Sequence, residues 1–549
     1  MVKVKYFHIM DKKLNKNNMN RIVGFLIVIL LSVACTPVNK NDKLIKPNVL
    51  FISVDDLNDW EGALMGHSQA ITPNMDKLFE QGVLFTNAHC SQAVCTASRN
   101  SLLSGIHLTT SGWYGSTADM RKSYNQVMET HQMLPEYFKT NGYNTYATGK
   151  VFHDGVSDYP DRTKDFWSDY SPPFWSNMEE HIEKTGFGYR GKMFYPFPKD
   201  GGQLVQLYGE DTINNYFRER NRFYSLCGGP LADDEIPEKG MYDEQIADWA
   251  INKLNEKHKK LFFMAVGFIR PHVPYTAPQK YFDLYDKEKL KIPIVPENEF
   301  EDIPMMGKSI AYGYTPRGGW FDVTQKEEIL PELVHSYLAC VSFVDDQIGR
   351  VLKALEDSPN GKNTIVVLWS DYGQHLGEKR HFRKQALWEE STKVPLFFKV
   401  PGQKGAGEKS KQVVSLLDIY PTLVELCNLP EAPKLEGNSL VSLIEKPETT
   451  WETPVLSTWY YKNHAIRSNN WRYIHYRDGG EELYDHKNDQ GEHVNLANDP
   501  AYADIIAEHK KWLPKNDALP AGKSEWEPDK LDKRIESWGK NDSIPMWLR

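Results

Sequence analysis

Residues 49–56 read Val49-Leu50-Phe51-Ile52-Ser53-Val54-Asp55-Asp56. The run is apolar almost throughout rather than alternating, which predicts a strand buried on both faces of a sheet, and so an α/β fold. It ends in two adjacent carboxylates, which are costly to bury unless a cation neutralises them. Open α/β sheets place their ligands at the carboxyl ends of the strands. Asp-Asp in a solvated turn needs no such partner; the strand context favours a metal.

Working outward, three further strands end in residues that can carry chemistry. Residues 143–147 exit through Thr148-Gly149-Lys150-Val151-Phe152-His153. Residues 261–266 exit through Gly267-Phe268-Ile269-Arg270-Pro271-His272-Val273-Pro274, and 364–369 through Ser370-Asp371-Tyr372-Gly373-Gln374-His375, with Arg383-Lys384 beyond. A lone Lys is usually a solvated charge and a lone His usually structural, so position at a strand exit is what singles these out. Helices are predicted over 74–81, with Thr72 as cap, Pro73 in the first turn and Gly82 as stop, and over 243–255. Apolar residues stepping by three and four from Val334 to Leu355 predict a long helix packed on the sheet; Asp345-Asp346 inside it reads as structural.

Between the first two strand exits lies Ser91–Gly105, S-Q-A-V-C-T-A-S-R-N-S-L-L-S-G. Helical character from Ser98 onward puts Cys95 at a helix N-terminus, where backbone N–H groups favour an oxyanion. Arg99 adds a guanidinium fork suited to a tetrahedral anion. Alone, Cys95 reads as an ordinary buried thiol.

Taken together, Cys95-x-Ala97-x-Arg99 with Leu103-Ser104-Gly105, Gly149-Lys150-x-x-His153, Arg270-Pro271-His272-x-Pro274 and Ser370-Asp371-x-Gly373 resemble the motifs of the type I sulfatases, in order, over roughly 47–500. The nearest likeness is to the iduronate-2-sulfatases and bacterial polysaccharide sulfatases. The resemblance implies an alkaline-phosphatase-like mixed central sheet flanked by helices, with a smaller C-terminal antiparallel-sheet subdomain. It implies that a maturation enzyme oxidises Cys95 to formylglycine. Calcium would be held by Asp55, Asp56, Asp371 and the modified Cys95. Arg99, Lys150 and Lys384 would hold sulfate oxygens, His153 would work on the formylglycine hydroxyl, and His272 would protonate the leaving alcohol.

The implied reaction is hydrolysis of sulfate esters on a sulfated polysaccharide or oligosaccharide, either a glycosaminoglycan or a marine algal polymer such as ulvan or carrageenan. Tyr372 departs from the family pattern, which has His or Asn there. A neutral phenol is a poor calcium ligand, so Gln374, His375 or water is an alternative. Two other functions stay open: a phosphodiesterase or phosphonate hydrolase of the same superfamily, and a non-catalytic glycan-binding lipoprotein.

The remaining sequence bounds this reading. A net charge of −9 provides no basic field for nucleic acid. The six cysteines show no C-x-x-C and no regular spacing, so Cys90, Cys227, Cys340 and Cys427 read as buried thiols, with one bridge among them open. Arg21, the apolar stretch from Val23 to Val33 and Ala34-Cys35 read as a secretory leader with a bacterial lipobox, lipidated at Cys35, or else simply cleaved. Domains are expected at 1–35 (leader), 36–46 (tether), 47–446 (catalytic) and 447–549 (C-terminal), in an exported periplasmic or cell-surface protein whose membrane contact is a lipid anchor. Residues 155–240, with Trp167, Tyr170, Phe174, Trp175 and Tyr195, read as an insertion shaping the mouth of the site. In the tail, Glu482-Leu483-Tyr484-Asp485, Gly491-Glu492 and Asn495-Leu496 resemble the family's closing motif. His464 and Arg467 there read either as substrate-facing or as packing residues.

Overall fold

The apolar run becomes the centre of a mixed sheet. A computed structural model describes residues 46–115, 117–172, 228–312, 330–432 and 434–521. Among these, nine strands form the main sheet: β1 (Asn48–Val54), β2 (Val83–His89), β3 (Asn144–Gly149), β4 (Asp169–Tyr170), β5 (Phe262–Phe268), β6 (Thr364–Ser370), β7 (Lys393–Lys399), β8 (Glu408–Ser410) and β9 (Val414–Ser415). The spatial order is β8-β2-β7-β6-β1-β5-β3-β4, with β9 also paired to β2. β1 has parallel neighbours on both sides, and β7 runs antiparallel to β6 and β2.

All of β1 is buried because its side chains divide between two cores. Val49 and Phe51 join one apolar cluster; Leu50, Ile52 and Val54 join the other. Helices α1 (Pro73–Phe79), α3 (Tyr242–Leu254) and α4 (Leu330–Asp357) supply apolar stripes to the second cluster, and α2 (Cys95–Ser104) lies against the first. Tyr337, Val341, Val344, Ile348 and Val351 are the buried stripe of α4.

Register decides where chemistry can gather. Val54 is level with Phe268 and Ser370, and Gly149 is level with Gly267. The chain therefore leaves β1, β3, β5 and β6 side by side. Strands β3, β5 and β6 run past their expected ends, to Gly149, Phe268 and Ser370, because ladder pairing with their neighbours continues through Thr148-Gly149, Gly267-Phe268 and Ser370.

Helix α1 stops at Phe79, two residues short of the expectation, and Thr72 does not cap it. The Thr72 hydroxyl instead accepts the Gly62 N–H and faces Asp76. Asp345 of α4 takes over, accepting the N–H groups of Asn74 (3.1 Å) and Met75 (2.7 Å) from across the helix interface. Asp346 accepts the Tyr281 hydroxyl. Both acids are structural, as expected.

Trp167 is a core residue rather than a wall of the site: it is 2% exposed, and its Nε1 donates to the Val156 carbonyl. Phe174, Trp175 and Tyr195 lie outside the described residues, as do Cys227 and the leader and tether up to residue 45. Among the described residues, Cys90, Cys340 and Cys427 are buried thiols that form no disulfide.

The tail forms a four-stranded antiparallel sheet in chain order, β10 (Val455–Thr458), β11 (His464–Arg467), β12 (Trp471–His475) and β13 (Glu481–Asp485), with a small core of its own. Buried charges fasten it to the rest. Glu389 bonds to Arg467 (2.9 Å) and to Arg472, while Arg472 Nε and His486 both meet Glu492 (2.6 and 2.8 Å). Glu482 accepts from Trp388, Tyr476 and Tyr484. The closing motif thus supplies acids that tie this sheet to the main one. Arg467 is taken up by Glu389, and His464 by Thr458 and Asp517, so both are packing residues.

Candidate active site

Helix α2 begins at Cys95 itself, after the extended Val94. It ends at Gly105, in the left-handed region with φ 71°, whose N–H returns to Ser101 and Leu102. A Cβ there would strike Leu435, so the glycine of Leu-Ser-Gly is both a cap and a clearance. The loop ahead of Cys95 is held from the tail: Ser457 Oγ donates to the Cys90 carbonyl (2.6 Å) and Thr458 N to the Ser91 carbonyl (2.7 Å).

Lys150 reaches the same place through a glycine pair. Gly149 has φ 71°, and a Cβ on it would overlap the Gly267 carbonyl; a Cβ on Gly267 would overlap the Lys150 backbone. The close approach lets Lys150 N bond back to Gly267 O (2.7 Å) and turns its ammonium onto Asp55.

Arg99 is fully enclosed. Its Nε donates to Asp371 Oδ2 (2.7 Å), Nη2 to Asp55 Oδ1 (3.3 Å), and Nη1 to Ser53 and to the carbonyls of Lys150 and Val151. The fork expected to grip sulfate is instead aimed at the carboxylates and at the β3 exit. Ser98, which the sequence reading passed over, donates to the Asp371 carbonyl (2.6 Å) and pins α2 to the end of β6.

His153 Nδ1 lies 3.0 Å from Cys95 Sγ. Burial opposes ionisation of this thiol, but His153, Lys150 and Lys384 outweigh it and bring it down to about 6. Burial likewise disfavours charge on His153, yet the thiolate beside it raises its pKa. His272 stands on the β5 exit, in a loop braced by Arg270 bonds to Thr276 and to the His272 carbonyl. Its Nδ1 is 2.8 Å from the Val273 carbonyl and so carries the proton, while Nε2 faces Asp55 and Asp56 at 3.9 Å from each. Burial and the Lys384 charge hold this imidazole well below its usual range.

Lys384 Nζ meets Asp56 Oδ1 at 2.8 Å and the Tyr372 hydroxyl at 2.5 Å. That hydroxyl is 3.3 Å from Asp55 Oδ1. Gln374 is turned to Tyr275, and His375 Nδ1 bonds to Ser391 with its ring edge-on to His381. Of the three side chains weighed for the missing ligand, Tyr372 alone has a bond to the acid pair.

The carboxylates themselves fit a divalent cation. Ligand atoms of Asp55, Asp56 and His272 lie within 4.8 Å of one another, and Asp56 Oδ2 is buried without a hydrogen-bond partner. Asp371 Oδ1 accepts the Asp56 N–H. Burial would raise Asp55, but Lys150, His272 and Arg99 hold it well below the carboxylate range; burial with Asp55 alongside pushes Asp371 well above it. Hard oxygen donors of this kind suit calcium or magnesium. Among the described residues, Glu389, His486 and Glu492 also cluster closely, but Arg467 and Arg472 already neutralise them.

A family model described as Sulfatase matches residues 47–429, and one described as N-sulphoglucosamine sulphohydrolase, C-terminal, matches 377–518. This chain belongs to the sulfatase family. It is 38% identical over 501 residues to a sulfatase of Formosa agariphila, covering 90% of this chain and 92% of that one. It is 31% identical over 436 residues to the iduronate 2-sulfatase of Mus musculus, 70% of each chain. A solved 2-O GAG sulfatase superposes with a TM-score of 0.61 at 22% identity, covering 90% of this chain and 93% of that one. The fold is accordingly the alkaline-phosphatase-like α/β class. As a member of this family the protein is a sulfuric ester hydrolase, and membership implies a formylglycine and a metal ion at this site.

Proposed function

We propose that this sulfatase removes sulfate from a polysaccharide or oligosaccharide, using calcium and a formylglycine made from Cys95. One observation carries the reading: four adjacent strand exits and the start of α2 gather Asp55, Asp56, Asp371, Lys150, His272 and Lys384 into one buried contact network, with the Cys95–His153 pair beside it within reach of the Lys150 and Lys384 charges. The polymer class is supported by relatives named for iduronate and for 2-O GAG sulfate.

Asp55, Asp56, Asp371 and residue 95 would hold the calcium, which when bound would supply fixed positive charge beside the sulfate. Formylglycine at position 95 supplies, when hydrated, the attacking hydroxyl. The chain's own residues do the rest. Lys150 and Lys384 are the ammonium groups available to the sulfate once it displaces their carboxylate contacts. Arg99 fixes Asp55 and Asp371 so that they need not reorganise during the reaction. His153 moves the proton at position 95, to which its Nδ1 is already directed. With Nδ1–H anchored on the Val273 carbonyl, His272 turns Nε2 into the site, where it must first take up a proton, favoured by the charge of a bound sulfate, before passing it to the departing sugar oxygen. The leader at 1–35 supports export, with an anchor at Cys35.

The deciding experiment is a desulfation screen of the purified enzyme on defined sulfated oligosaccharides, beside matched phosphate esters. The expected result is sulfate release from a sugar substrate, lost in Cys95→Ala, with the wild-type peptide about 18 Da lighter at residue 95 than a cysteine peptide because an aldehyde replaces the thiol. Preference for the phosphate esters, or full activity in Cys95→Ala, overturns the proposal.

A further inference from the structure

The Tyr372 side chain is fully buried and sits against Lys384 in two ways. The ammonium donates to the phenolic oxygen at 2.5 Å, and it lies 4.4 Å from the ring centroid. The phenol in turn donates to Asp55 Oδ1 at 3.3 Å. Lys384 therefore spans Asp56 and Tyr372, and Tyr372 spans Lys384 and Asp55.

We infer that Tyr372 is a positioning residue for Lys384 and not a ligand of the metal. This rests on the function proposed above. A phenolic oxygen binding calcium would have to point a lone pair at the ion. Here one lone pair faces an ammonium, and that positive charge opposes a second cation on the same oxygen. The hydroxyl proton is directed to Asp55, a carboxylate that does face the ion's place. The orphaned oxygen of the site belongs to Asp56, on the side of His272 and away from the atom that Lys384 holds. The metal is thus left to carboxylates, residue 95 and solvent or substrate. The phenol fixes the long, flexible lysine over the sulfate position, where ordering its rotamers in advance favours binding.

The test is calcium chloride titration by calorimetry of chelator-treated wild type, Tyr372→Phe, Lys384→Met and the double variant, with steady-state kinetics on one sulfate ester. Tyr372→Phe keeps the calcium Kd within about threefold of wild type, since no ligand is lost. It raises KM or lowers kcat/KM by about tenfold, the loss expected for a hydrogen bond to a charged group. Adding it to Lys384→Met costs nothing further, because both changes break one interaction. A calcium Kd weakened tenfold or more in Tyr372→Phe makes the phenol a ligand and overturns the inference, as does strict additivity of the two kinetic losses. A wild type that binds no calcium overturns the proposed function together with this inference; binding by wild type alone overturns only the inference.

Discussion

Cys95 differs from the other cysteines by its neighbours rather than by its depth. Cys90, Cys340 and Cys95 are all buried, and burial pushes the Cys340 thiol up to about 12. Cys95 is brought to about 6 because an imidazole at 3.0 Å and two ammonium groups favour its thiolate. In protein made without maturation, iodoacetamide should therefore alkylate Cys95 selectively, the rate climbing as pH rises through about 6. Peptide mass spectrometry against pH reads this directly. His153→Ala should move the midpoint upward; an unchanged midpoint would mean that His153 does not govern the charge at residue 95.

At the scale of elements, the site is a consequence of register. Strand exits could be found in the sequence because each apolar run is local and each ends in an unlike residue, so Asp55, Lys150, His272 and Asp371 stood out. The partnerships could not be found. Arg99 reads as a sulfate fork until Asp371, Asp55 and the Lys150 carbonyl are seen to occupy it, and these lie far away in the chain. The bond between Tyr372 and Lys384 was hidden for another reason: Lys379, Arg380, Arg383 and Gln385 all take positive φ, a path that no periodicity announces. The glycine pair at the β3 and β5 exits is the sharpest element-level test. Gly267→Ala places a methyl on the Lys150 backbone, which cannot move without shifting β3. Sulfate-ester turnover should fall at least about a hundredfold, as misplacing a catalytic group by 1 Å does, while circular dichroism keeps the wild-type secondary structure. Near-normal turnover would show that Lys150 does not need this close approach.

For the whole molecule, the tail is held by buried charge more than by its own small core. Arg472 is completely buried between Glu389 and Glu492, and its Nη1 also donates to the Leu387 carbonyl. Arg472→Ala takes one cationic partner from each of Glu389 and Glu492, which keep Arg467 and His486, and should cost about 3 kcal/mol of unfolding free energy, the low end for a broken buried pair, read from urea denaturation. Arg472→Met with Glu492→Gln, which leaves Glu389 to Arg467, should recover much of that loss, because the burial of under-compensated charge, not the missing side chain, carries the cost. A single variant within about 0.5 kcal/mol of wild type, the range of ordinary surface changes, would remove these charges from the account.

The bonds from Ser457 and Thr458 to the loop before Cys95 also impose a schedule. A ribosome delivers Cys95 long before it delivers the hairpin that fastens it, so for most of translation the reactive segment lacks its clasp. The oxidation proposed for Cys95 would have this interval in which to occur. Docking of the last sheet then fixes the backbone of Cys90 and Ser91, and with it the loop that leads into residue 95.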